Sequence, residues 1–364
     1  MITTRAPGKL FVAGEYAVVE PGEPAVLIAV DRFLTVELTP GSGAGHIHSP
    51  EYGALPLVWT RDRDAGGIVL EHRPSDYVMS ALEVLERLRD ERGLEPRFYD
   101  IRISSELDDA HGRKFGLGSS AAVTVAVVAA LDAFYELGLT RDERFRIALL
   151  ATIRIAPTAS GGDVAASTFG GWIRYAAPDR AALRADLEAG TVTEALASGG
   201  WDPSSIERLP APASMRLLVG WTGSPASTER LVDGVRHGGG GTAATSYGDF
   251  VGASRERVDA LVDALRRDDQ AAALGVVCRA RRLLQRLGEI SGITIETDEL
   301  RALCDIAERH GAAGKPSGAG GGDCGVVLAP ADADLADLLV EWEAHGIRRL
   351  DVHVQPPEGD DDDA

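Results

Sequence analysis

The stretch GRKFGLGSSAAVTVAVVAALDAF, residues 112–134, joins a short glycine-rich loop to a long apolar segment. Gly116 and Gly118 allow backbone conformations that other residues resist, and they let a ligand approach the main chain closely. Residues 119–137 are apolar on nearly every side, which predicts a buried helix. The start of such a helix carries unpaired N–H groups and a partial positive charge, so this loop is suited to bind an anion such as phosphate.

Ser119 and Ser120 stand where that helix begins, and their hydroxyls could donate to phosphate oxygens or ligate Mg²⁺. The alternative is a tight turn with a serine cap on a buried helix. Together with Ala121 the loop also fits GxGxxA, but a dinucleotide site needs a strand directly before it and an acid about 20 residues later. The expected strand ends near Leu107 and the downstream acids fall inside the helix, so dinucleotide binding is disfavoured.

Two further segments are rich in glycine. KPSGAGGGDCGVVL, residues 315–328, has more consecutive glycines than a turn needs, which favours a backbone wrapped around a ligand. Its GxGxxG match is followed by a strand pattern, which contradicts dinucleotide binding. In TASGGDVAASTFGGW, residues 158–172, Asp163 is either part of a weak capping box with Ser160 or a charged group beside the other two loops.

The chain has three lysines, Lys9, Lys114 and Lys315, among 37 basic residues. Each lies in or beside a glycine-containing segment. Lysine is a compact charge on a flexible stem, whereas arginine is a bulky planar fork, so lysine suits a crowded anionic site. The placement predicts that the three lysines serve one such site.

The composition limits the possible classes of protein. With 364 residues and 45% hydrophobic content the chain should form two domains, because single cores stop growing at about 250–300 residues. A net charge of −19 argues against nucleic acid and anionic membrane as partners. The three cysteines lack CxxC spacing, which predicts a reducing cytoplasm without disulfides or zinc. Neither a signal peptide nor a membrane span is expected.

The local patterns predict an α+β protein. Strands are expected in the first forty residues and in 97–107, with helices over 75–92, capped by Ser75, and over 141–155. In the second half the patterns predict helices at 253–268, 270–290, 296–310 and 332–345, and strands at 215–223, 324–330 and 348–354. The predicted division is a first domain over 1–176, a connection over 177–212, a second domain over 213–354 and an acidic, disordered tail over 355–364.

Three segments, APGKLFVAGEYAVV, GLGSSAAVTVA and KPSGAGGGDCG, resemble the three motifs of the GHMP small-molecule kinases and occur in the same order. The resemblance implies an N-terminal domain like ribosomal protein S5 domain 2, a ferredoxin-like C-terminal domain and a site between them. Within the family, four segments most resemble members that transfer the γ-phosphoryl group of ATP to 5-phosphomevalonate, in isoprenoid synthesis. These segments are KFGLGSSAA, SGGDVAASTFGGW, LLVGWTGSPASTERLV and SGAGGGDCG.

The residues and the resemblance together predict the site. The predicted catalytic residues are Lys9, Lys114 and Asp163. The predicted ATP-binding residues are Tyr77, Gly116, Leu117, Gly118, Ser119, Ser120 and Ala121, with Ser119 and Ser120 also near Mg²⁺. The predicted substrate-binding residues are Tyr16, Ser160, Gly161, Ser317, Gly318, Ala319 and Gly320.

The sequence departs from the family pattern at two places. Related mevalonate kinases carry a magnesium-binding glutamate shortly before the aspartate, but ALLATIRIAP, residues 148–157, contains no acid. The serine loop usually follows a proline, and here Lys114 and Phe115 precede it. The protein ligands of the magnesium ion therefore stay open.

The chemistry of the acceptor separates the functional hypotheses. A phosphate monoester, with a second pKa of about 6, is largely dianionic at neutral pH and needs little deprotonation, so added cations help more than a base. Lys114 therefore favours a phosphorylated acceptor, with Asp163 orienting Lys9 or the metal. The alternatives are a kinase of the same family acting on mevalonate, homoserine or a sugar, an ATP-using diphosphomevalonate decarboxylase, and a non-catalytic binding protein. A monomer or a homodimer is expected.

Overall fold

The computed structural model describes residues 1–62, 68–70, 76–109, 111–223, 231 and 241–357, with the backbone alone over 241–246. The strands in these residues are β1 (Ile2–Ala13), β2 (Pro24–Pro40), β3 (Gly45–His48), β4 (Leu57–Arg61), β5 (Ile68–Val69), β6 (Tyr99–Ser105), β7 (Trp172–Ala176), β8 (Ser205–Leu209), β9 (Met215–Trp221), β10 (Ala313–Pro316), β11 (Cys324–Pro330) and β12 (Arg348–Leu350). The α-helices are α1 (Tyr77–Glu91), α2 (Ser119–Tyr135), α3 (Arg141–Ile155), α4 (Gly162–Phe169), α5 (Arg180–Ala189), α6 (Val192–Leu196), α7 (Gly241–Arg266), α8 (Gln270–Ser291), α9 (Asp298–Arg309) and α10 (Ala336–Ala344).

The first sheet has eight strands in the order β5-β4-β3-β6-β2-β7-β8, with β1 paired to β2. The β1–β2 pairing is antiparallel and runs from Ile2 opposite Leu38 to Ala13 opposite Val26. On its other side β2 pairs with β7 near its start and with β6 near its end. Because β1 pairs with no other strand of the described chain, its second edge is left for loops, and this edge borders the site.

Helices α2 and α4 pack directly on the first sheet, α2 on β1 and β2, and helices α1 and α3 pack against α2. The prediction of a buried helix is confirmed: from Ala121 to Tyr135 nearly every apolar side chain of α2 lies in the core. A capping box formed by Thr140 and Glu143 begins α3, which ends at Ile155, as the sequence predicted.

The second sheet has the strand order β10-β11-β9-β12, and every pairing in it is antiparallel. Two helical connections and one direct turn join these strands in chain order, which is the ferredoxin-like arrangement. The predicted α+β class with a ferredoxin-like second domain is confirmed. Helix α7 spans Gly241–Arg266, so it begins earlier than the predicted residue 253. The sequence did not indicate its first turns, because they are polar, contain glycine and show no apolar periodicity.

The stretch 177–212, expected to be a connection, contains α5, α6 and β8, and β8 pairs with β7 so that it extends the first sheet. The chain also returns to this sheet after β12. The N–H of Gln355 donates to the carbonyl of Ala29 at 2.9 Å, and the N–H of Gly171 donates to the carbonyl of Gln355 at 2.8 Å. The last strand is therefore shorter than predicted, and residues 355–357 belong to the fold rather than to a tail.

Two expectations fall on residues outside the described ranges. The first is the prediction that Ser75 caps helix α1. The N-cap of this helix in the structure is Asp76, whose side chain accepts a hydrogen bond from the N–H of Met79. The acidic run over 358–364 is the other. Among the described helices, none is both long enough and apolar enough to cross a membrane.

Candidate functional site

One cavity of about 620 Å³ lies between the open edge of β1, the start of α2, the start of α4 and the loop that follows β10. Of the residues predicted for the site, those that line this cavity are Lys9, Tyr16, Tyr77, Lys114, Gly116, Leu117, Gly118, Ser119, Ser120, Ser160, Asp163, Gly318 and Ala319. Residues from all three glycine-rich segments therefore meet at one place.

The open edge of β1 positions both loops. The N–H of Lys9 donates to the carbonyl of Leu117 at 2.8 Å, which holds the loop before α2. Two residues further along, the Ser317 hydroxyl accepts from the N–H of Phe11 at 2.9 Å and donates to its carbonyl at 3.0 Å. A single strand thus fixes the loop at the helix start and the loop after β10 relative to each other.

The loop before α2 requires glycine. Gly116 and Gly118 have φ values of +80° and +82°, in the left-handed region that favours glycine. A Cβ on Gly116 would lie 2.6 Å from Cβ of Asp323, and one on Gly118 would lie 2.7 Å from Cε of Lys9. Gly118 is the N-cap and gives no side-chain cap bond, so the first N–H groups of α2 keep their capacity to bind an anion.

Lys9 is the buried cation of the cavity. The residue is 9% exposed, its aliphatic stem packs against Gly118, and its ammonium nitrogen lies 5.6 Å from the centroid of the Phe11 ring. A charge in such a low-dielectric setting acts more strongly on a nearby phosphate than a charge in water does.

Asp163 is the second residue of α4, and its Oδ1 accepts a hydrogen bond from the N–H of Val164 at 3.0 Å. The capping-box interpretation is wrong, because the N-cap of α4 is Gly161, with φ +82°, rather than Ser160. The hydroxyl of Ser160 instead accepts from the N–H of Gly162 at 3.3 Å. Asp163 is therefore not used as a cap and faces the cavity.

Lys114 and Arg113 stand at the cavity mouth. The Lys114 side chain is 57% exposed, and its ammonium lies 3.1 Å from Oε1 of Glu51. Arg113, which the sequence did not single out, donates from Nε to Asp109 at 2.7 Å and lies 4.9 Å from the centroid of the Trp221 ring. Burial acts to raise the pKa of Asp109, but hydrogen bonds from the Arg113 backbone and side chain outweigh it and lower that pKa to about 2.

Four predicted residues do not line the cavity, namely Ala121, Gly161, Ser317 and Gly320. Ala121 is buried in the first turn of α2, and a Cβ on Gly161 would meet Leu149. The Ser317 hydroxyl is taken up by the β1 backbone, and a Cβ on Gly320 would lie 2.2 Å from the carbonyl oxygen of Ile295. These four residues therefore pack or form hydrogen bonds inside the protein, next to the loops that line the cavity.

The third lysine is elsewhere. Lys315 is fully buried, does not line the cavity, and donates to the carboxylate of Glu15 and to the carbonyl of Pro316. The prediction that all three lysines serve one anionic site is wrong for Lys315, because a sequence pattern cannot show which way a strand side chain points. Tyr16, next to Glu15, does line the cavity, and burial followed by the Glu15 charge raises the pKa of its phenol.

Some lining residues were missed by the sequence analysis. Val18 and Val19 form an apolar wall on a short 3₁₀ turn, Thr158 stands just before α4, and the backbone of Asp323 has a left-handed φ of +52°. Only Asp323 carried a usable signal, as an acid at the end of the GAGGG run.

The donor set suits a magnesium ion carried by a nucleotide. Ser119, Ser120, Asp163 and Asp323 all line the cavity, and side chains of these types offer hydroxyl and carboxylate oxygens. Within the described residues, no cluster of three or more His, Cys, Asp or Glu side chains could hold a metal alone. Mg²⁺ commonly keeps several waters and is bound through one or two carboxylates together with substrate phosphates, so these residues fit it.

Comparisons with known proteins agree with this geometry. The family models for the GHMP kinases N terminal domain and the GHMP kinases C terminal region match residues 76–171 and 278–348. A phosphomevalonate kinase from Streptomyces sp. (strain CL190) is 45% identical over 96% of this chain and 96% of that protein.

Two solved structures are similar along nearly their whole length. The Streptococcus pneumoniae phosphomevalonate kinase in complex with phosphomevalonate and AMPPNP has a TM-score of 0.84 and 28% identity, covering 97% of this chain and 100% of that one. The Lin0012 protein from Listeria innocua has a TM-score of 0.90 and 34% identity, covering 98% of each chain. Since two family models and a full-length relative agree, this chain belongs to the GHMP kinase family.

Proposed function

We infer that this chain catalyses ATP-dependent phosphorylation of 5-phosphomevalonate, giving 5-diphosphomevalonate and ADP. The observation that carries the reaction type is one cavity lined by the start of α2, Lys9, Asp163 and the loop at Gly318. The choice of acceptor is supported by the relative that is 45% identical over 96% of this chain, because that protein is named a phosphomevalonate kinase.

The nucleotide and the acceptor take opposite ends of the cavity. The triphosphate lies against the N–H groups that open α2 and the Ser119 and Ser120 hydroxyls, with Tyr77 near the adenosine. The acceptor lies against Tyr16, Ser160 and the Gly318–Ala319 backbone. When bound, Mg²⁺ neutralises charge on the transferred phosphoryl group; Ser119, Ser120 and Asp163 are the residues that would hold it.

Charge neutralisation is the central chemical task, because two polyanions must approach in a protein with a net charge of −19. Lys9 supplies a buried positive charge between them, and Lys114 and Arg113 add charge at the mouth. The acceptor phosphate is already largely dianionic, so Asp163 orients Lys9 or the metal and does not have to remove a proton.

The test is a panel of acceptors with ATP, in which ADP release is measured for 5-phosphomevalonate, mevalonate, homoserine and galactose. We expect turnover with 5-phosphomevalonate far above the others, without release of carbon dioxide. Preference for mevalonate would indicate a mevalonate kinase, and carbon dioxide release would indicate a diphosphomevalonate decarboxylase. No turnover with any acceptor would indicate a non-catalytic binding protein.

A second experiment tests the role of Asp163. In the charge-neutralisation account, Asp163→Asn retains measurable turnover and Lys114→Met lowers it. Complete loss of turnover in Asp163→Asn together with an unchanged Lys114→Met enzyme would contradict the account and make Asp163 a base. We also propose a cytoplasmic monomer or homodimer, in keeping with the free thiols of Cys278, Cys304 and Cys324.

A further inference from the structure

Lys315 is a buried cation that the proposed reaction does not use. It is 0% exposed, and its ammonium donates to the Glu15 carboxylate and, at 2.6 Å, to the carbonyl of Pro316. Its charge is compensated by Glu15, whose side chain is only 3% exposed. Lys315 therefore does not bind a substrate phosphate, and its place in the glycine-rich segment needs another explanation.

Stability alone does not explain the pair. Removing two charges from water costs several kcal/mol for each ion, and well-packed apolar residues often replace a buried ion pair without loss of stability. A buried pair does, however, fix the relative position of the two segments that carry it. Glu15 is the second residue after β1, and Lys315 lies in β10 just before the loop over 317–322, so the pair joins the end of β1 to the entry of that loop.

The conformation of the turn after β1 agrees with such a role. Gly14 has φ +96°, and a Cβ there would lie 2.5 Å from Cα of Ala25. Tyr16 has φ +63° and ψ −49°, and the N–H of Ala17 donates to the carbonyl of Glu15 at 2.7 Å, which together form a γ-turn of the rare, strained kind. The strained turn directs Glu15 to Lys315 and the Tyr16 hydroxyl to the carbonyl of Ala319, at 2.5 Å.

The loop over 317–322 is thereby held on three sides. Glu15 and Tyr16 hold its entry and its middle, the Ser317 hydroxyl is bonded to the backbone of Phe11, and the N–H of Gly321 donates to the carbonyl of Ile295 at 2.8 Å. Lys9 lies on the same β1 strand, two residues before Phe11. The position of the loop relative to the Lys9 ammonium thus depends on the turn after β1.

We propose that Glu15 and Lys315 are a positioning pair, which fixes the loop over 317–322 against β1 and so places the acceptor's attacking oxygen relative to Lys9 and the γ-phosphate. The proposal rests on the proposed kinase function. Without the pair, the loop keeps its residues but loses its fixed position, and misplacement of reacting atoms by about 1 Å can lower a rate about a hundredfold.

The test compares Glu15→Gln and Lys315→Met with the unmodified protein, using 5-phosphomevalonate and ATP. Each variant should raise the acceptor KM and lower its kcat/KM about tenfold or more, while the ATP KM changes less than about twofold. The amount of ADP released per acceptor phosphorylated should rise, because water reaches the γ-phosphate when the acceptor is misplaced. A purely structural role would leave this ratio unchanged.

A matched control is the Arg61–Glu86 pair, whose side chains are 8% and 6% exposed and do not line the cavity. Glu86→Gln should lower the midpoint of thermal unfolding, yet leave both KM values and the ADP ratio unchanged. Equal kinetic changes in Glu86→Gln and Glu15→Gln would overturn the proposal.

The double variant Glu15→Gln/Lys315→Met leaves no unpaired buried charge, so it should unfold at a higher temperature than either single variant and still show the kinetic defect. Amide hydrogen exchange over 317–322, measured without ligand, should also be faster in it than in the unmodified protein. A double variant with unmodified kinetics and exchange overturns the proposal. The two proposals can fail separately. If the unmodified protein does not phosphorylate 5-phosphomevalonate but amide exchange over 317–322 is faster in the double variant, the proposed acceptor is wrong, and the proposal that Glu15 and Lys315 hold this loop is supported.

Discussion

Two lysines in the cavity carry the same charge in very different surroundings. Lys9 is 9% exposed, whereas the Lys114 side chain is 57% exposed and paired with Glu51. Exposed charges are screened by water and salt, and exposed ion pairs are worth little. Both lysines were predicted to be catalytic on equal grounds, because the burial of a side chain cannot be read from a motif.

Replacing these lysines should therefore give unequal results. Lys9→Met should lower kcat by about 10²–10³, the loss typical for one preorganised group that stabilises the transition state. Lys114→Met should lower it by about fivefold or less, as expected for a solvent-exposed charge. Steady-state kinetics at low and high salt measures both. Losses of similar size, or a salt-sensitive Lys9 effect, would show that the burial of Lys9 has no consequence.

The Asp109–Arg113 pair predicts how one residue responds to pH. The pKa of Asp109, about 2 against an ordinary 3.8, is depressed in the folded protein. Its contribution to stability is therefore fully present above about pH 4 and is lost as the pH falls through about 2.

A carbon-13 NMR titration of the Asp109 carboxyl should locate this pKa. Arg113→Gln should move it back toward the ordinary value but not restore it, because the backbone N–H groups of residues 111 and 113 still donate to Asp109. An Asp109 that titrates near 3.8 in the unmodified protein would contradict the described hydrogen bonds.

At the scale of elements, the start of α2 joins fold and site. Gly118 caps the helix with φ +82°, and its missing side chain leaves the space that the Lys9 stem fills. An alanine here should destabilise the protein by about 1–2 kcal/mol through the left-handed backbone. It should also displace Lys9, and so lower kcat about as much as Lys9→Met does.

Gly138 offers a matched control for Gly118→Ala. It has φ +64°, and a Cβ there would meet nothing within 4 Å. Gly138→Ala should show the same loss of stability in urea denaturation and unchanged kinetics. If Gly118→Ala behaves as Gly138→Ala does, the contact between Gly118 and Lys9 is not needed for turnover.

Element boundaries show what the sequence could predict. Helix α3 was predicted with the correct bounds, and in the structure a capping box of Thr140 and Glu143 marks its start. The buried helix α2 was also predictable, since its alanines and valines leave no polar face. The hydrogen bonds that this loop makes inside the protein, from Phe11 to Ser317 and from Gly321 to Ile295, were not predictable, because the partners are distant in the sequence. Side-chain direction inside a glycine-rich loop depends on such long-range contacts.

At the scale of the molecule, the two sheets were predictable from strand patterns and from the family resemblance, but their limits were not. The stretch 177–212 has few apolar residues in a regular period, yet its strand β8 completes one edge of the first sheet. Pairing between distant strands is decided by the whole core, and local composition does not report it.

The segment 351–357 should stabilise the first sheet. Three backbone hydrogen bonds bind it there, from Asp31 to His353, from Gln355 to Ala29 and from Gly171 to Gln355. At about 0.5–1.5 kcal/mol each, their loss should cost roughly 2–4 kcal/mol. A chain ending at Leu350 should therefore unfold at a lower temperature than one ending at Pro357, which keeps these contacts. Equal midpoints in calorimetry would show that the segment is not part of the cooperative unit.

The return of this segment to β2 has a consequence during synthesis. The ribosome makes β1 and β2 first and residues 351–357 after all the other segments of the described chain. A nascent chain still attached at β12 can collapse its first domain, but the sheet that carries Lys9 stays incomplete on that side. Closure of this part of the sheet must then wait until residues 351–357 have left the exit tunnel, so it comes after synthesis of every other described segment.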